Sequence, residues 1–154
     1  AEVSLRKGEG MKTLSTVIIL ATIAAALSGC GSPKNVEVDI QAPLQVKEGD
    51  DFVITATVSN SASKTQTLVS LDIGDEYLVG IAVLKTEPRH KEATHVPIDN
   101  TMSYVFDLPM KPGEEVRILL HSKAVKTGDH KSEIDFCINS DASFLSKSVR
   151  TIVE

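Results

Sequence analysis

The sequence predicts an all-β chain, a β-sandwich of about seven to eight antiparallel strands over residues 36–154. Three observations predict it. Apolar and polar residues alternate with period two in eight separate runs, which is the signature of a strand with one buried face. Clusters of Gly, Asn, Asp, Ser and Pro stand between those runs as turn signals. No stretch after Cys30 keeps up a 3.6-residue period.

The runs follow in chain order. Val36, Val38 and Ile40 open the series, and Phe52, Ile54, Ala56 and Val58 alternate with Val53, Thr55, Thr57 and Ser59. Val69, Leu71 and Ile73 form a third run, and Tyr77, Val79, Ile81 and Val83 a fourth. Met102, Tyr104, Phe106 and Leu108 are followed by Val116, Ile118 and Leu120, then by Ile134, Phe136 and Ile138. Leu145, Val149 and Val153 close the chain. The turns between them are Lys47-Glu48-Gly49-Asp50, Ser59-Asn60-Ser61, Ile73-Gly74-Asp75, Lys111-Pro112-Gly113, Lys126-Thr127-Gly128-Asp129 and Asn139-Ser140-Asp141. Pro112 fixes its own φ and cannot donate to a ladder, so a turn is its natural place. Residues 87–100 (EPRHKEATHVPIDN) are the longest stretch without alternation. Such a stretch reads as a wide crossover between sheets, and its length and composition make it the candidate partner surface.

Ahead of the sandwich lies a different kind of sequence. Residues 14–27 (LSTVIILATIAAAL) carry no charge, follow Lys12 and end in the small residues Ser28, Gly29 and Cys30. The run is short for a membrane span, which needs roughly 20 apolar residues, and has the three regions of a secretory signal. Leu27-Ser28-Gly29-Cys30 resembles the lipobox of bacterial lipoproteins. The resemblance implies cleavage between Gly29 and Cys30 and a thioether from the Cys30 sulfur to a diacylglycerol bearing palmitate-type acyl chains, since the thiolate is the strongest side-chain nucleophile near neutral pH. Several chains on one cysteine give a lasting anchor where one holds only reversibly.

The expected organisation is therefore a leader or extended n-region at 1–10, a signal peptide at 11–29, a lipidated tether at 30–35 and the sandwich at 36–154. Met11 is the expected start, because Lys7-Gly8-Glu9 can be encoded by a purine-rich ribosome-binding element placed just before it. Gly31 and Ser32 follow the lipidated cysteine, with no aspartate directly after it. By resemblance to lipoprotein sorting, this implies the outer membrane in a double-membraned bacterium, and otherwise the outer face of the plasma membrane.

Charge narrows the partners. The chain has 16 basic and 21 acidic residues; cleavage before Cys30 removes Arg6, Lys7, Lys12, Glu2 and Glu9, leaving 13 against 19. A balance near −6 argues against nucleic acid, which requires a basic patch, and against a polybasic membrane contact. With Cys30 lipidated, Cys137 has no partner for a disulfide.

Within the domain, 46–73, 104–130 and 132–154 resemble the prokaryotic Ig-like conserved repeats of cell-surface proteins, of which the cell-adhesion-related CARDB domain is a close pattern. The resemblance rests on Gly49-Asp50, Val58-Ser59-Asn60, Pro112-Gly113-Glu114 and Thr127-Gly128-Asp129-His130. It implies an Ig-like fold and a single copy of a module usually found in tandem.

Candidate chemistry is sparse. His90, Glu92 and His95 can approach a metal only if their loop folds back. Asp72, Asp75 and Glu76 lack EF-hand spacing for Ca²⁺. Cys137 falls on the opposite face from Ile134, Phe136 and Ile138, beside Glu133 and Asp135, and carboxylates discourage a thiolate. Neither a nucleophile elbow nor a P-loop is present. The expectation is a non-catalytic, cofactor-free binding or structural protein of the bacterial envelope. Its partners would be the membrane, through Cys30, and an envelope protein or polysaccharide. The alternatives are a Ca or Zn binding module and an accessory subunit of an envelope enzyme or transport complex.

Overall fold

A computed structural model describes residues 31–154. Cys30, the apolar run and the rest of 1–30 lie outside the described residues. Ten strands follow in order: β1 (Val36–Gln41), β2 (Gln45–Val46), β3 (Asp51–Asn60), β4 (Gln66–Gly74), β5 (Ile81–Glu87), β6 (Glu92–Val96), β7 (Thr101–Met110), β8 (Glu115–Ala124), β9 (Gly128–Ile138) and β10 (Phe144–Val153). A single helical turn, α1 (Asp75–Leu78), joins β4 to β5.

The strands form a β-sandwich. One sheet has the order β1-β3-β8-β5, the other β2-β10-β9-β4-β7-β6. All pairings are antiparallel except the short parallel contact of β2 with β10. Immunoglobulin-type sandwiches pair strands ABED on one sheet and CFG on the other. Here β1, β3, β8 and β5 take the places of A, B, E and D, while β10, β9 and β4 take those of G, F and C. The hairpin of β6 and β7 is an addition, inserted in the chain between the D-like and E-like strands and extending the second sheet past β4.

Alternation explains the core. Ile54, Ala56 and Val58 of β3, Ile118, Leu120 and Ala124 of β8, Leu71 and Ile73 of β4, Tyr104 and Phe106 of β7 and Ile134, Phe136 and Ile138 of β9 all point inward and are buried. The turns follow their chemistry. Glu114 N donates to Lys111 O (3.0 Å) across Pro112 and Gly113, and Gly113 has φ +79°. Proline second and glycine third suit a type II turn, whose third residue needs positive φ. Gly49, φ +91°, has the same role in the turn closed by Asp50 N and Lys47 O (3.0 Å).

Three expectations require correction. The run at Tyr77, Val79, Ile81 and Val83 is not one strand: α1 carries Tyr77, and β5 begins at Ile81. The chain crosses between sheets here, and Tyr77 and Ile81 point inward at helical i, i+4 spacing while Val79 faces solvent. Val69 is out of phase, because the ladder slips between Leu68 and Ser70 on both sides of β4. Leu68, Ser70 and Leu71 are buried instead. Finally, 87–100 does cross between the sheets, but it also holds β6, paired with β7 from Glu92↔Val105 to Val96↔Thr101. Four of the five β6 residues are exposed, so an edge strand held by backbone pairing leaves no apolar alternation to read.

The sandwich has two distinct ends. At the end that holds residues 31–35, Ser61 N donates to Asn35 O (2.9 Å), Gln66 Nε2 to Lys34 O (3.2 Å) and Ser143 Oγ to Gly31 O (3.5 Å). The far end gathers 47–50, 75–80, 97–100, 125–127 and Glu154: Glu48 N donates to Glu154 O, Val125 N to Gly80 O and Asp75 N to Asn100 O, each at 2.8 Å.

Candidate functional site

The strand-end motif Val58-Ser59-Asn60 acquires a structural role. Asn60 is buried; its Nδ2 donates to Met110 O (2.9 Å) and Lys64 O (3.0 Å), and its Oδ1 accepts from Ala62 N (2.9 Å) and Gln66 Nε2 (3.1 Å). Asn139 extends the network, donating from Nδ2 to Gln66 Oε1 (3.1 Å) and accepting from Thr67 N (2.9 Å). This amide cluster ties together the β3–β4 connection, the end of β7 and the β9–β10 turn.

The second motif, Thr127-Gly128-Asp129-His130, is structural as well. His130 is buried, its Nε2 bonds Lys126 O at 2.8 Å, and its ring occupies the space where a Cβ at Gly80 would stand. Asp129 receives Arg150 in a two-pronged pair, Nε to Oδ1 at 2.8 Å and Nη2 to Oδ2 at 2.9 Å, and the guanidinium holds the Asp129 carboxyl below its ordinary pKa.

The four histidines do not converge. His90 Nδ1 lies 2.9 Å from Thr86 Oγ1 with its ring edge-on to Tyr104. His95 Nε2 lies 2.8 Å from Asp75 Oδ2, joining β6 to α1. His121 Nε2 is 3.1 Å from Glu87 Oε1 but out of hydrogen-bond alignment, and it is closed to solvent. Asp72 also lies apart from the groove that Asp75 and Glu76 line. Asp72 accepts from Ser103 Oγ on the outer face of the six-stranded sheet, whereas Asp75 is engaged by His95. Among the described residues no three His, Cys, Asp or Glu side chains gather closely enough to hold a metal ion.

Cys137 lies on the outer side of β9, as alternation predicts, but it is covered, with 2% exposure. Its Sγ donates to Asp72 Oδ2 at 3.4 Å. Burial, reinforced by the Asp72 and Asp141 carboxylates, pushes the thiol up to about 12. Sequence alternation gives the side of the strand but not the cover, because Asp72 comes from β4.

The open surface worth notice lies toward the far end. A groove of about 610 Å³ runs over the outer face of β9 and β10 beneath the 97–100 turn, lined by Asp75, Glu76, Asp99, Glu133 and Asp135 together with Lys131 and Arg150. Large exposed aliphatic side chains, Leu44, Val79, Ile98 and Val125, stand in the connecting segments of the same end. The Pro97 to Asn100 turn thus carries to this end the exposed part of the stretch expected to meet a partner.

No protein-family model matches the chain, and no curated protein matches it. Several solved structures align over most of this chain. The E. coli alpha-2-macroglobulin, in its native conformation, aligns at 15% identity and TM-score 0.49 over 78% of this chain and 7% of that one. The Pseudomonas fluorescens alkylpurine DNA glycosylase AlkC aligns at 14% identity and TM-score 0.47 over 78% of this chain and 30% of that one. The chain thus spans less than a third of either of these proteins. AvmM, which catalyses macrocyclization in alchivemycin A biosynthesis, aligns at 7% identity and TM-score 0.52 over 79% of this chain and 90% of that one. At such identity the likeness to AvmM speaks for the sandwich fold and for nothing of its chemistry.

Proposed function

We propose that this protein is an exported, lipid-anchored binding or structural protein of the bacterial cell envelope, without catalytic activity. The observation that carries the reading is the lipobox-like Leu27-Ser28-Gly29-Cys30 at the end of an uncharged apolar run. The fold is compatible with it. The first strand starts at Val36, so a lipid on Cys30 would leave a tether of a few residues and hold one end of the sandwich near the bilayer. Titratable side chains scattered over several faces suit a binding or scaffold role better than a reaction centre.

Intact-mass spectrometry of the protein from a bacterial host, native against Cys30→Ser, tests the reading. The expected native chain starts at residue 30 and carries diacylglyceride mass that the variant lacks. An unmodified native chain that keeps residues 11–29 would overturn both the anchor and the compartment.

A further inference from the structure

We propose that the outer face of the four-stranded sheet is a self-association surface, on which a second copy of the chain packs about a two-fold axis running along β8. Register carries the argument. Val53 of β3 stands opposite His121 of β8, and on the other side of β8 the ladder slips between Val83 and Lys85, with Lys85 opposite the same His121. Leu84 is the extra residue at that slip. Val53 is 40% exposed and Leu84 60%, and with His121 and Lys85 they line one groove of about 430 Å³. The other large apolar side chains exposed among the described residues stand in connecting segments or, for Phe144, at the start of β10. Scattered singly, such residues mean little; grouped, they mark interaction sites.

Symmetry selects the occupant. Val53 and Leu84 flank β8 at one level, so an axis along β8 sets Val53 of one copy over Leu84 of the other, and the reverse. That reciprocal contact of two unlike residues is what an isologous pair requires, and here it covers both aliphatic side chains at once. Charge agrees. Beside the groove Lys85 pairs with Glu87 at 2.8 Å and Lys123 with Asp51 at 3.2 Å, two bases to two acids. The groove over β9 and β10, on the other sheet, sets five acids against two bases, and like charges across an interface oppose association. An acidic chain thus meets its own copy without net repulsion on the four-stranded sheet but not on the six-stranded one.

The size of the face sets the strength. Four strands about 4.8 Å apart, the longest of ten residues at about 3.3 Å each, offer about 600 Å² per copy. The pair would bury about 1,200 Å² in all, the lower limit of standard interfaces, so the dimer is reversible. Aligned sheets cross at about 30° because each is twisted. The crossing centres the contact on His121 and parts the row of Glu37, Ser59 and Glu115 toward the other end of the face. An axis along the strands also leaves residues 31–35 of both copies at one end, where lipids on Cys30 would enter the same bilayer. The surface itself does not depend on the anchor.

The test is sedimentation equilibrium of the full chain, extracted from a bacterial host in a density-matched detergent kept in excess over protein. The expected result is a monomer–dimer equilibrium whose dissociation constant rises at least about tenfold with Val53→Lys and with Leu84→Asp and is unmoved by Ile98→Asp. An equimolar mixture of the Val53→Lys and Leu84→Asp chains should dimerise again, because the introduced lysine then faces the introduced aspartate while the second contact stays native. Where either substitution lowers the urea midpoint, Leu84→Ala takes its place, with an expected rise of at least about threefold. Any of several results overturns the proposal: a monomer at all concentrations up to about 100 µM, association beyond the dimer, equal weakening by Ile98→Asp, indifference to the Val53 and Leu84 substitutions, or no recovery in the mixture. Intact mass separates the two readings. A dimer of chains without lipid would overturn the anchor and keep the surface, whereas lipidated monomers would do the reverse.

Discussion

Asn60 shows how one side chain can hold a whole end of a sandwich. Its amide joins the β3–β4 connection to the end of β7 through four hydrogen bonds, and truncation strands a buried carbonyl of Met110 and the amide of Gln66. Unpaired buried polar groups cost about 1–3 kcal/mol each, and local rearrangement recovers part of that. Asn60→Ala is therefore expected to lose about 2–4 kcal/mol, measured as a lower urea midpoint with unchanged slope. Cys137 gives a second prediction at this scale. With its thiol pushed up to about 12 by burial, little thiolate is present at pH 8, and the greater nucleophilicity of a basic thiolate offsets only part of that. Alkylation of Cys137 in the native chain should run at least about a hundredfold slower than in urea-unfolded chain; comparable rates would show that the Asp72 cover opens freely. Of these two residues the sequence reveals position but not surroundings. Val58-Ser59-Asn60 reads as a strand end, yet Asn60's partners at 62, 64, 66 and 110 are assembled only by the fold.

Elements were legible where one face of a strand is buried and the other is wet. Eight runs could be read that way, and β3, β7, β8 and β9 keep that alternation along their inward faces. Where the physical basis of the pattern fails, so does the reading. Edge strand β6 buries neither face, the slip at Leu68 and Ser70 shifts the phase of β4, and α1 turns the chain between sheets with a spacing that imitates a strand. The junction of α1 with β5 also explains a glycine that no turn rule demands. A Cβ at Gly80 would overlap the His130 imidazole, and moving that ring breaks its bond to Lys126 O. Gly80→Ala should cost about 1–3 kcal/mol. In a double-mutant cycle with His130→Ala the two losses should fall short of additive by at least about 0.5 kcal/mol, read from urea denaturation of all four chains; additive losses would place the strain elsewhere.

At the scale of the molecule the sandwich and its proposed anchor are separable. The proposed lipobox is a contiguous sequence pattern, four residues behind one apolar run, and lies outside the described residues. The make-up of the far end is not contiguous, since segments 47–50, 75–80, 97–100 and 125–127 meet there only through the fold. The buried hydrophobic core begins at Val36, and residues 31–35 meet the rest mainly through hydrogen bonds from Ser61, Gln66 and Ser143. Exposed bonds of that kind contribute about 0.5–1.5 kcal/mol each at most, and all of them remain in a chain that starts at Gly31. Such a chain should therefore unfold in a single cooperative transition, with a midpoint within about 2 °C of the detergent-extracted full chain. Scanning calorimetry of both checks this. A much lower midpoint for the shorter chain would mean that residues before Gly31 belong to the folded unit, and the apolar run at 14–27 would then have to be read as part of a core rather than as the signal for an anchor.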